Sequence, residues 1–344
     1  NTPMPTLSYR QSGLVMSATH PGTKQQVVDL QRDLRSLGYL RRGIDGQFGG
    51  GTQRAIMALQ NDLLRNDGRG SDGSAPVRII DYNRGRVTAA DGVVTQALVE
   101  CIAEMLDDVR FPKLPLSQAP ADDNRKIAVR IASLPSTRVP TPYLVAILKQ
   151  ESGMMHFAVP RGADDQDTFV VVGTDSNSGD PNVITSRGYG AGQYTLFHHP
   201  PRPEEVAGVI PDPGQNVERA AELLRDKLDG FVNGPTSSAD DRVAEIGRGP
   251  LRLCKYAPSD ARYMTDCKAC ATAAGTRNIR QGLPVFPGST TTWTPTQYYG
   301  TASYDGVPVR EKIGCDWPYA VRRYNGGGIN SYHYQVKVLK FLVG

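Results

Sequence analysis

Long apolar runs are missing from this sequence of 344 residues. Nothing approaches the roughly 18 consecutive apolar residues that a membrane-spanning helix requires, so no such span is expected. Basic runs with interleaved aromatics are missing too. The net charge of +4 is spread along the chain, which argues against a nucleic-acid partner and is neutral towards an anionic wall polymer. Cysteine is scarce, with five in all. Cys101 stands alone, while Cys254, Cys267, Cys270 and Cys315 fall in the C-terminal half. That quartet leaves disulfides, a zinc site and free thiols all open, because a single C-x-x-C without a second pair is a weak zinc signal. His198, His199 and His333 lack ligand spacing and read as structural, so neither metal nor cofactor is expected. No basic-then-apolar leader opens the chain at Asn1, and whether a signal was removed stays open. Convincing apolar–polar alternation is also absent, so the fold is expected to be mainly α.

What is present is helical periodicity. Residues 1–24 read as an irregular arm rich in Pro, Ser, Thr and Gly. Val27, Leu30, Leu34 and Leu37 then form one helical stripe that Gly38 stops. After "IDGQFGGGT" a second stripe runs through Ala55, Ile56, Leu59 and Leu63, with Thr52 placed to cap it. Residues 66–86 read as a loop, and Asp91-Gly92 then repeats the Asp45-Gly46 cue ahead of a third helix. Prolines at 112, 115 and 120 mark a linker. Further helices are expected at "DDNRKIAVRIASL", "LVAILKQESG" and "NVERAAELLRDKLDGF", with a terminal one at "YHYQVKVLKFL"; residues 160–185 read as a loop.

The segment "VVDLQRDLRSLGYLRRGIDGQFGGGTQRAIMALQ" resembles the three-helix peptidoglycan-binding domain of wall hydrolases. The resemblance rests on the Leu30-Gln31 pair, Leu37-Gly38-Tyr39, and Asp45-Gly46-x-Phe48-Gly49-x-x-Thr52. Gly50 stands where that family usually has Pro. Physically the motif is turn chemistry: Asp45 bonds nearby N–H groups, the glycines supply positive φ, and Phe48 plugs the core.

In "LVAILKQESG", Leu144, Ile147 and Leu148 share one helical face, and the next position on that face is Glu151. Burial beside an apolar stripe and the negative end of a helix both disfavour a charged carboxyl. A carboxyl that keeps its proton near neutral pH can act as a general acid. "SRGYGAGQYT" then offers Gln193 after a glycine-rich turn, "DPGQNVERAAELL" sets Asn216 at a helix start, and "AVRRYNGGG" places Tyr324 and Asn325 before glycines.

In this order the four segments resemble the soluble lytic transglycosylase family, of lysozyme-like fold and related to goose-type lysozyme. The resemblance implies Glu151 as the catalytic acid/base, with Ser152, Gln193, Tyr324 and Asn325 binding substrate. Two departures are Gly-Ala-Gly-Gln in the second motif and Arg323 where Ala is common. The implied organisation is an arm at 1–24, a peptidoglycan-binding helical domain at 25–110, a linker and leading helix at 111–137, and a lysozyme-like α-rich catalytic domain with long insertions at 138–344. The implied activity is cleavage of the MurNAc-β-1,4-GlcNAc bond to a 1,6-anhydro product, without a cofactor. Peptidoglycan glycan strands would be the partner, in the periplasm or cell wall, with the enzyme secreted, exported or phage-delivered. Two alternatives stand beside it. One is a hydrolytic lysozyme pairing Glu151 with Asp164, Asp165, Asp167, Asp175 or Asp180; the other is a non-catalytic wall-binding protein. Whether the 235–315 insertion docks a protein partner is open.

Overall fold

A computed structural model describes residues 7–41, 43–135, 139–230 and 317–326, with positions 334, 337, 338 and 341. The described chain is helix-rich with two small antiparallel sheets. It divides into two compact, discontinuous units: residues 1–127 with 155–216, and residues 128–154 with 217–344. The cysteines at 254, 267, 270 and 315, His333 and the 235–315 insertion lie outside the described residues.

The first unit is built on α1 (Lys24–Ser36), α2 (Gly50–Arg65) and α3 (Gln96–Asp107). The expected stripes are its core: Leu30, Leu34, Ile56, Leu59, Leu98 and Ile102 are fully buried. Thr23 caps α1 through a reciprocal pair with Gln26. Thr52 does not cap α2; the N-cap is Gly49, without a side-chain bond, and Thr52 is buried in the first turn, where its hydroxyl accepts from the Gln31 amide. The N-terminal arm is irregular yet pinned. Tyr9 donates to Asp33 over 2.6 Å, and Met16 bridges Val94.

One device joins each helix to the next turn. Gln31, 1% exposed, accepts from the N–H groups of Asp45 and Gly46 and donates to Asp45 Oδ1. One helix later Gln60 accepts from Gly92 N–H and donates to Asp91 Oδ1. Gly46 and Gly92 sit at φ 75° and 76°, a conformation in which only glycine is unstrained. The echo between Asp45-Gly46 and Asp91-Gly92 is therefore a repeated physical motif, each copy locked by the glutamine after a buried leucine.

Residues 160–185 are not all loop. β3 (Val172–Asn177) and β4 (Asp180–Tyr189) form a hairpin, and β5 (Tyr194–Leu196) adds to β4 ahead of the short helix α6 (Pro203–Ala207). Likewise 66–86 contains a two-rung ladder of β1 (Arg69–Gly70) with β2 (Gly73–Ser74), and a 3-10 turn at Ile79–Tyr82. The 172–189 hairpin shares the core of the helical module: Phe157, Phe169, Val170, Val172, Tyr189, Leu196 and Ile210 belong to one buried cluster with Leu30, Ile56 and Leu98. Arg35 of α1 reinforces this, donating to Val170 O over 2.9 Å and pairing with Asp167 at 3.2 Å.

The second unit contains α5 (Thr141–Ser152), most of α7 (Pro213–Leu228), α8 (Trp317–Tyr324) and the end of α4 (Pro120–Ser133). Val217, Ala220, Ala221, Leu224 and Leu228 form the buried face of α7, as their spacing predicts. Pro142 sits in the first turn of α5, where its missing N–H costs no helical bond. α8 packs on α5, anchored by buried Trp317 and Val321.

Candidate functional site

α5 ends where the sequence places its acid. Leu144, Ile147 and Leu148 are buried, and Glu151 continues their face at a half-buried position. Gly153 closes the helix at φ 63°, its N–H bonding Lys149 O, while Met154 N–H returns to Leu148 O. Ser152 donates its hydroxyl back to Leu148 O over 3.1 Å. The helix end is thus fixed by backbone bonds, and it carries the carboxyl in a set position.

Two tyrosines surround that carboxyl within the second unit. Tyr334 donates its hydroxyl to Glu151 Oε1 over 2.7 Å and is 7% exposed. Tyr324, at the end of α8, stacks on Tyr334 with the ring planes 8° apart and the centroids 6.4 Å apart. Burial, then the charge of Glu151, raises the phenol pKa of both tyrosines, so both stay protonated donors at neutral pH. Asn325 lies exposed in the turn that follows, with its N–H on Arg322 O, before Gly326 at φ 93°. Of the expected site residues, Glu151, Ser152, Tyr324 and Asn325 therefore belong to one unit, and Tyr324 feels the carboxyl charge. Tyr334 was not anticipated. The available signal was a second tyrosine at the start of the terminal "YHYQVKVL" stripe, which reads equally as a core residue. Arg323 has its own consequence: its charge, after burial, lowers the pKa of Lys227 on α7.

Gln193 belongs to the first unit, at the tip of the β4–β5 turn with φ 53°. Its side-chain amide donates to Gly190 O over 3.0 Å. Gly173 and Gly188 leave room for it: a Cβ at either position would fall 2.3 or 2.8 Å from Gln193 Oε1. The turn is held from behind. His156 Nδ1 accepts from Ala191 N–H, and its Nε2–H donates to Ile210 O over 2.7 Å. Asn216 accepts from Gly192 N–H and donates to Tyr189 O and Val209 O. Asn216 thus serves as a buried clamp for the glycine turn. Burial lowers the His156 pKa to about 4, so the ring is neutral under ordinary conditions.

The five acidic candidates for a second catalytic group all lie in the first unit, and each has a partner there. Asp164 pairs with Lys24, and Asp167 with Arg35. Asp165 accepts from Asp167 N–H, Asp175 from Ser186, and Asp180 from Asn182 N–H. His198 bridges Asp72 and Glu205, and His199 bonds Leu37 O, so both are structural. Among the described residues no group of three His, Cys, Asp or Glu side chains is placed to hold a metal ion, and no helix is long and apolar enough to cross a membrane.

A family model described as "Putative peptidoglycan binding domain" matches residues 23–63, which span α1, the Asp45-Gly46 turn and most of α2. The match supports an N-terminal peptidoglycan-binding domain in this chain. No match to the chain was found among curated proteins or among solved structures.

Proposed function

We propose that this protein is a peptidoglycan-cleaving enzyme of the lytic transglycosylase type, with a lysozyme-like catalytic part built around Glu151. The observation that carries the reading is the Tyr334–Glu151 hydrogen bond, which fixes a half-buried carboxyl at a helix end in a chain that also matches a peptidoglycan-binding domain over residues 23–63. Glu151 gives its proton to the glycosidic oxygen as the C1–O4 bond of the muramic residue breaks. The substrate's own acetamido group stabilises the cation. The Glu151 carboxylate then takes the proton of the C6 hydroxyl as the C1–O6 bond forms. The acid is regenerated, no water is consumed, and a 1,6-anhydro end remains.

This scheme needs one carboxyl, whereas a hydrolase needs a second to position water or attack carbon. The engagement of all five candidate aspartates within the first unit favours the single-acid scheme. Mass spectrometry of digested, purified peptidoglycan tests it. Anhydro-muramic ends, lighter by one water than reducing ends, are expected; reducing ends alone would establish hydrolysis.

A further inference from the structure

A groove of about 300 Å³ runs between α2 and the β3–β4 hairpin, inside the first unit. Its α2 wall presents Arg54, Ala55 and Ala58, with Tyr39 and Arg41 from the preceding turn. The opposite wall is Thr174 and Ser176 of β3 with Pro181, Asn182 and Ile184. The walls hold a fixed spacing because Asn61 of α2 donates to Asn182 O, and because buried Arg187 of β4 donates to Gly38 O and lies over the Tyr39 ring.

The chemistry of the lining is one-sided. Arg41 and Arg54 are exposed, and neither guanidinium makes a hydrogen bond or ion pair among the described residues. No acidic residue lines the groove; Asp175, between the two hydroxyl residues of β3, bonds Ser186 instead. Guanidinium groups recognise carboxylates bidentately, and the hydroxyls and amide beside them suit peptide groups. The volume is at the small end for ligand pockets and suits a terminal dipeptide rather than a long glycan.

We propose that this groove binds the carboxylate-terminated stem peptide of peptidoglycan, and that the 172–189 hairpin supplies half of the site. The inference rests on wall association by the N-terminal domain and does not depend on the catalytic assignment. The hairpin lies beyond the 23–63 family match, so the docking surface is larger than the domain that names it.

The test is cosedimentation of the full chain, carrying Glu151→Gln to prevent digestion, with purified sacculi. One batch is stripped of phosphodiester polymers with hydrofluoric acid; a second is stripped and then treated with an amidase to remove stem peptides. The expected result is equal binding to stripped and unstripped sacculi and at least tenfold weaker binding to peptide-free strands. Arg41→Ala with Arg54→Ala, and separately Ser176→Trp, which fills the groove from the hairpin side, should each weaken binding at least tenfold at unchanged melting temperature. Full binding by either variant would overturn the site. Binding lost on acid stripping would reassign the arginines to phosphodiesters and overturn the peptide assignment. Failure of the parent chain to bind any sacculi would overturn wall association itself, an outcome distinguishable from loss in the variants alone.

Discussion

Tyr334 orients one oxygen of Glu151 through a single 2.7 Å bond. Tyr334→Phe keeps the ring and its stack on Tyr324, and removes only the donor. If Glu151 is the proposed general acid, displacing it costs rate more than binding, because the misplacement is felt in the transition state. The expected outcome is a fall in kcat of about tenfold to a hundredfold with little change in KM, read from muropeptide release. His156 gives a residue-scale prediction of another kind. Its folded pKa, near 4, lies below the ordinary value of 6.5. Its contribution is fully present above pH 6.5 and is lost as pH falls towards 4, because the unfolded chain then binds the proton that the folded chain refuses. The total is roughly 3 kcal/mol. Burial lowers His199 as well, so its effect has the same sign. Urea midpoints measured from pH 7 to pH 4 should fall, and His156→Asn should flatten part of that slope.

At the scale of elements, the helices were legible because their apolar stripes have the helical period and their ends carry ordinary stop signals. Leu144, Ile147 and Leu148 predicted the face on which Glu151 sits, and Asp45-Gly46 predicted a positive-φ turn. The 172–189 hairpin was not legible. Its outer half is exposed on both faces, so "VGTDSN" lacks alternation, and the ladder is interrupted by register shifts near Asp175 and Ser176. Thr52 was misread because its hydroxyl serves a tertiary bond to Gln31 instead of the helix end. Asn216 reads in sequence as a helix start, but its energetic role, clamping a glycine turn 24 residues earlier, is a tertiary fact. The repeated glutamine device yields a test. Gln31→Ala removes a buried amide together with its bonds to the Asp45-Gly46 turn and to Thr52, which should cost about 2 kcal/mol in urea unfolding. Gln60→Ala should cost a similar amount, whereas exposed Gln25→Ala should change little.

Over the whole molecule, sequence order and compact units do not coincide. The core that holds the peptidoglycan-binding helices also takes Phe157, Phe169, Val170 and Tyr189 from later in the chain. A fragment of residues 1–110 would therefore expose the apolar surface that these residues cover. It should melt well below the full chain or aggregate, as differential scanning fluorimetry and light scattering would show; a fragment as stable as the full chain would contradict the shared core. The catalytic reading places one carboxyl at the centre of the activity, and Glu151→Gln tests that most directly. Muropeptide release from purified sacculi should fall by at least a thousandfold in this variant, with melting temperature and sacculus binding unchanged. Release at the parent rate by a folded, wall-bound Gln variant would contradict the account.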